Sequence, residues 1–266
     1  MEGVNGVNPA SGAAPLNTAP DRLEVLLKEL HLPTVRECYG QVARQATQES
    51  LSYEGFLGEL LERESQVRAQ HRVERRLRES RLPLEKSLDS FDLLRLPLKV
   101  RQQFAGLLDG SFLERRENVL AFGNPGSGKT HLLCALGQAL VRSQRRVLCT
   151  TCSLLVQELL IAKRDLKLAA LLKRLGRYEA LLIDDLGYVQ QSREEMEVLF
   201  TLLADRYERS SVLLTSNLPF SQWENIFKDP MTTAAAIDRL VHHSIILELN
   251  LPSYRVEKAK QEKREK

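Results

Sequence analysis

The sequence predicts an α/β fold: a doubly wound, five-stranded parallel sheet preceded by a small all-helical domain. Three observations predict it. From about residue 91, short aliphatic and β-branched runs alternate with amphipathic helical stretches, the sequence form of a parallel sheet covered on both faces. A glycine-rich loop stands between the first of these runs and the helix after it. Before them, residues 21–82 repeat their apolar positions with helical period.

The elements follow in order. Residues 1–20, MEGVNGVNPASGAAPLNTAP, hold almost no large apolar side chain and cannot offset their ordering entropy, so they are expected to be a disordered tail. The helical domain is expected over 21–90. Leu23, Leu26, Leu27 and Leu30 share one helix face, and His31-Leu32-Pro33 ends that helix. Val35, Cys38, Tyr39 and Val42 mark a second helix; Ser52 suits the N-cap of a third, which carries Phe56, Leu57, Leu60 and Leu61. Its continuation, RESQVRAQHRVERRLRESR (63–81), is rich in arginine interleaved with glutamate and stops before Pro83. That pattern fits a solvated face with i,i+4 ion pairs such as Glu64 with Arg68, or DNA or partner contacts.

The sheet domain is expected over 91–250. Its strands are NVLAF (118–122), RVLCTT (146–151), ALLIDDL (180–186), SVLLTSN (211–217) and SIILEL (244–249), with helices near 129–142, 153–174 and 192–209. Ser192 and Glu195 have capping-box spacing, and Met196, Leu199, Phe200 and Leu203 share a face of the last helix. Right-handed crossovers place the site of such a sheet at the carboxyl ends of its strands. A basic tail, 251–266, closes the sequence.

Bulk properties exclude some classes. No apolar run approaches the roughly 18 to 20 residues of a membrane span, and the first twenty residues lack the basic start and apolar core of a secretory signal. The net charge of +3 permits contact with nucleic acid without requiring it. Four cysteines in a chain of this size do not make a disulfide framework, so a reducing compartment is expected. Cys149 and Cys152 form a CTTC, but no second pair or histidine lies at ligand spacing, and an ordinary strand end is the simpler reading.

The chemistry centres on GNPGSGKT (123–130), which matches G-x-x-x-x-G-K-[ST] between an apolar strand and an apolar helix. Gly123, Gly126 and Gly128 let the backbone bend around a polyphosphate, and the helix N-terminus adds its positive end. Asn124, Pro125 and Ser127 complete the loop and His131 opens the turn after it, so 123–131 is the candidate nucleotide cradle. Lys129 is expected to reach the β and γ phosphates, and Thr130 to give its hydroxyl to Mg²⁺. Asp184 ends a buried strand beside the loop and is the second candidate for Mg²⁺, through water. In a regular pleat Asp185 points to the opposite side from Asp184, where it could face an attacking water. Being one methylene shorter than glutamate, it implies slow turnover. Asn217 at the end of LLTSN either positions that water or is a turn residue. Arg239 is either a surface charge or a finger that enters a neighbouring subunit's site.

Taken in order, Gly123 to Thr130, Asp184 with Asp185, Thr215-Ser216-Asn217 and Arg239 resemble the AAA+ P-loop ATPases, and within them the DnaA/DnaC clade, where the double aspartate is usual. That resemblance implies a hydrolytic site, with Asn217 as sensor 1 and Arg239 as the arginine finger. A closer resemblance is to the IstB-like ATPase helpers of bacterial insertion-sequence transposases. It is carried by FLGELLERESQVR (56–68), RLPLEKSLDSFD (81–92), DRYERSSVLLTSNLPFSQW (205–223) and SYR (253–255), and spans about 21–256. It implies ATP and Mg²⁺ as cofactors, hydrolysis stimulated by DNA or a partner, homo-oligomers assembled through the ATP sites on double-stranded DNA, a cognate transposase, and the bacterial cytoplasm. Only about sixteen mostly charged residues follow the last strand, too few for the helical lid of typical AAA+ proteins, so Arg255 is the candidate stand-in for a sensor-2 arginine. The short end argues against DnaA itself and is shared by DnaC-like helicase loaders, which act on single-stranded DNA and are the alternative reading. A P-loop kinase would need an acceptor site and a mobile lid, neither of which is visible.

Overall fold

The computed structural model describes residues 19–187, 192–219, 222–223 and 237–254. The expected tail falls outside these residues except for Ala19 and Pro20, which begin the first helix, and Arg255 with the rest of the basic tail falls outside them too. The described residues divide into two compact units, one up to Arg72 and the other from Val73.

The first unit holds α1 (Ala19–Glu29), α2 (Pro33–Glu49) and the first part of α3 (Tyr53–Ser80). Leu27, Val35, Val42 and Leu60 form its core. His31, in the left-handed region at φ 53°, and Pro33 at the start of α2 make the first break, while Ser52 Oγ accepts from Gly55 N–H at the start of α3. No local side chain caps α2. Glu64 of α3 does it from a distance: its Oε2 accepts from the Thr34 and Val35 amides at 2.8 and 3.1 Å, and its Oε1 from Arg68 Nε at 2.7 Å. The pair expected on a solvated face therefore has one buried member, since Glu64 is 3% exposed. Burial raises the Glu64 pKa, but Arg68 and the Val35 and Thr34 amides outweigh it, and the carboxyl lies below its ordinary value.

The second unit begins with the end of α3, which stops at Ser80, with Arg81 left-handed two residues before Pro83. A short 3-10 turn, Leu93–Arg95, is capped by Asp92, whose side chain accepts from Leu94 N–H. Then come α4 (Leu98–Leu107) and α5 (Ser111–Glu114), two helices that the periodicity does not single out, although Val100, Phe104, Leu107 and Phe112 are all buried. The sheet consists of β1 (Asn118–Gly123), β2 (Val147–Thr151), β3 (Ala180–Leu186), β4 (Ser211–Ser216) and β5 (Ser244–Leu249). Its order is β2-β3-β4-β1-β5, and every pairing is parallel.

Alternation along each strand builds a core on either face. Leu120, Leu181, Ile183, Val212 and Leu214 face one layer, with α7 (Cys152–Arg164), α8 (Leu168–Leu175) and α9 (Arg193–Arg206). Val119, Ala121, Leu182, Leu213 and Leu247 face the other, with α4 and α6 (Lys129–Arg142). The single helix expected over 153–174 is two: Leu166 turns left-handed at φ 57°, and the Lys167 and Leu166 amides close back on the Ala162 and Lys163 carbonyls. Cys149 and Cys152 belong to opposite core layers, so the CTTC spacing does not make a pair.

Candidate nucleotide site

The loop that links β1 to α6 lines a cavity of about 560 Å³ at the carboxyl ends of the strands. Its backbone needs glycine for two reasons. Gly126 and Gly128 lie at φ 79° and 99°, and a Cβ at Gly128 would come within 2.8 Å of the Phe91 ring, while one at Gly126 would strike Ser253. Lys129 opens α6, is 5% exposed, and donates from Nζ to the Gly123 and Asn124 carbonyls at 2.8 and 2.9 Å. The side chain thus ties the start of α6 back to the start of the loop. Ser127 Oγ is buried with no hydrogen-bond partner among the described residues, an orphaned polar atom inside the loop.

Across the cavity, β3 does not finish as a regular strand. Ile183 pairs with Leu214 and Leu186 with Ser216, so Asp184 and Asp185 together oppose the single residue Thr215. This is a β-bulge, and Asp185 sits in it at φ 61°, a left-handed conformation that aspartate tolerates better than most residues. The bulge corrects the expectation from a regular pleat: Asp184 and Asp185 line the same cavity. Thr215, fully buried, holds it in place. Its hydroxyl donates to Asp184 Oδ1 at 2.6 Å and accepts from Asp185 N–H at 2.9 Å. Thr130 Oγ1 donates to the same Oδ1 at 2.8 Å.

The remaining residues divide by end of the sheet. Asn217, just past β4, lines the cavity with the loop and both aspartates. His131 Nε2 lies 2.9 Å from the Ser87 carbonyl and 3.2 Å from Ser90 Oγ, and its ring meets Phe91 edge-on at 5.0 Å, so the 81–92 stretch packs against the loop. Past β5, Tyr254 N–H donates to the Gly126 carbonyl at 3.0 Å, and Arg95 stacks over the Tyr254 ring at 5.0 Å. Arg239 is not in this cavity. It lies over the Phe200 ring at 4.8 Å, in a hollow lined by Asn118, Val212 and His243, at the amino ends of the strands. Arg255 lies outside the described residues.

The donor set fits a magnesium nucleotide. Thr130 and Asp184 offer hard oxygen atoms 2.8 Å apart, next to a buried cation and a left-handed glycine loop at a helix N-terminus. Thr215 is a supporting residue of the candidate site to which the motifs assign no task. Its signal is a threonine that follows the aliphatic run 212–214 at the buried end of β4.

Residues 25–262 match the family described as IstB-like ATP binding protein. The chain belongs to that family. Among IstB-like relatives, it is 42% identical over 244 residues to an insertion-sequence ATP-binding protein of Sinorhizobium fredii, covering 91% of this chain and 82% of the other. It is 39% identical to one whose name assigns it to insertion sequence IS21 of Pseudomonas aeruginosa, covering 88% of each. A third, from insertion sequence IS5376 of Geobacillus stearothermophilus, is 35% identical over 92% of this chain and 98% of its own. Among solved structures, AMPPCP-bound DnaA from Aquifex aeolicus superposes with a TM-score of 0.53 at 17% identity over 70% of this chain and 57% of that one. DnaI gives 0.52 at 22% identity over 63% and 94%. These two likenesses show the fold alone, a parallel α/β sheet shared with DnaA and DnaI.

Proposed function

We propose that this IstB-like protein is an ATP hydrolase that assembles on duplex target DNA and brings that DNA to a transposase. The observation that carries the reading is the convergence of Lys129, Thr130, Asp184, Asp185 and Asn217 on one cavity, while Arg239 lies at the other end of the sheet. Among the described residues the cavity holds the phosphate loop and two acids while the candidate finger Arg239 lies away from it, so a site completed by Arg239 calls for a second subunit. The relatives' names, which tie ATP binding to insertion sequences, support the transposition context.

The geometry supports the following roles. Lys129 exchanges its two loop carbonyls for phosphate oxygens, and Ser127 Oγ gains the partner it lacks. Thr130 and Asp184 would hold Mg²⁺, which would supply neutralisation of the charge that develops on the phosphates. Asp185 accepts the proton of the attacking water, and Asn217 orients that water. Because the Asp184 and Asp185 positions are set by one bulge, metal binding and water activation share a single support.

The test is ATP hydrolysis together with sedimentation of the full chain, alone, with duplex DNA, and with single-stranded DNA of equal length. Duplex with ATP is expected to drive assembly and raise a low basal rate. A response to single strands only would replace this reading by the helicase-loader one, and a fast rate from a monomer indifferent to DNA would overturn both.

A further inference from the structure

Four arginines from separate stretches of the chain converge at the amino ends of β2 and β3, away from the ATP cavity. Arg76 comes from α3, Arg146 immediately precedes β2, and Arg174 and Arg177 flank the end of α8. With Glu79 and Tyr178 they line a hollow of about 240 Å³. That is several times the roughly 30 Å³ share of one water, so it admits a phosphate group.

The charges in the hollow are unbalanced. Arg174 is paired with Glu158, and Glu79 is shared with Arg75 at 3.8 Å. Arg76 is not neutralised but aimed: its Nη1 donates to the Gln144 carbonyl and lies 3.1 Å from Gln144 Oε1. Arg146 and Arg177 are exposed and have no ion-pair partner among the described residues. Four guanidinium groups thus outnumber the acids beside them, Glu79 and Glu158, and an anion with several oxygens relieves the remaining repulsion while accepting paired N–H donors.

We infer that this hollow grips a backbone phosphate of duplex DNA. The inference rests on the DNA-binding reading above and gives it a location: Arg76 is the member of the 63–81 arginine run that joins it, and the other three lie outside that run. No base edge is involved, so the grip adds affinity and salt dependence without sequence preference.

The test uses the full chain with ATP and a labelled duplex, with anisotropy followed across a salt series. The double variant Arg146→Ala/Arg177→Ala is expected to bind about tenfold more weakly at moderate salt. Its plot of log affinity against log salt should be shallower by about one to two, near one for each phosphate that the variant no longer neutralises. ATP affinity measured without DNA should not change, since neither residue lines that cavity. Arg146→Lys/Arg177→Lys should keep the slope and recover part of the affinity. A double alanine variant with unchanged slope and affinity would overturn the pocket while leaving duplex binding by the wild type intact; a wild type that ignores duplex would sink both. Calorimetric binding of inorganic phosphate that disappears in the alanine variant, with the DNA slope unchanged, would assign the hollow to free phosphate and overturn the duplex assignment.

Discussion

Thr215 shows how little chemistry a supporting residue needs. One hydroxyl, donating to Asp184 and accepting from the Asp185 amide, fixes both the proposed metal ligand and the proposed base. Thr215→Val keeps the shape of the side chain and removes both bonds. It is expected to cost about 1–3 kcal/mol of stability, because a carboxylate oxygen and a bulge amide each lose a partner. Turnover should fall about tenfold or more with ATP affinity little changed, as read by steady-state hydrolysis beside nucleotide titration. Asp185→Ala should likewise keep ATP binding and DNA-bound assembly but lose hydrolysis, and an unchanged rate would remove Asp185 from its role. The phosphate loop was legible in the sequence because its demands are local: glycines at the left-handed turns, a lysine and a threonine at the helix start. The bulge was not, since regular alternation is the default expectation for a strand and nothing in LLIDDL marks Asp185 as left-handed.

At the scale of elements, strands were legible nearly to the residue because each contains a short aliphatic run, which in β1, β3 and β4 is buried on both faces. Where sequence reading fell short, the cause was an interaction made at a distance or a turn made without its usual residue. The break between α7 and α8 uses Leu166 where glycine is the common signal. The cap of α2 is supplied by Glu64, about thirty residues away along the chain, which no local pattern reveals. That cap has a pH consequence. A folded-state pKa held below the ordinary glutamate value means that Glu64 contributes stability above that value, and the contribution fades as pH falls through the depressed folded pKa. Glu64→Gln is expected to be less stable than the wild type at neutral pH, with the difference narrowing below about pH 4.5, the ordinary value for glutamate. Urea unfolding followed at several pH values checks it, and parallel curves would show that the carboxylate charge is not what holds α2.

At the scale of the molecule, Arg239 and Lys129 belong to different ends of one sheet, so the proposed finger acts only between chains. Arg239→Ala is expected to reduce hydrolysis in the DNA-bound assembly while leaving the isolated chain's basal rate alone. Mixing it with Lys129→Ala subunits should restore part of the activity, because each variant retains the half the other lacks; no recovery in a titration of the two would count against action in trans. The sheet also joins these ends physically. β5 is paired to β1 from Ser244 to Leu249, carries Arg239 five residues before its start, and leads directly into the segment whose Tyr254 amide holds the Gly126 carbonyl. It spans about 20 Å as one stiff rod. A push delivered to Arg239 by a neighbouring subunit therefore has a mechanical route to the phosphate loop that runs beside the cavity and never through it, like a linkage bar connecting a trigger to a latch.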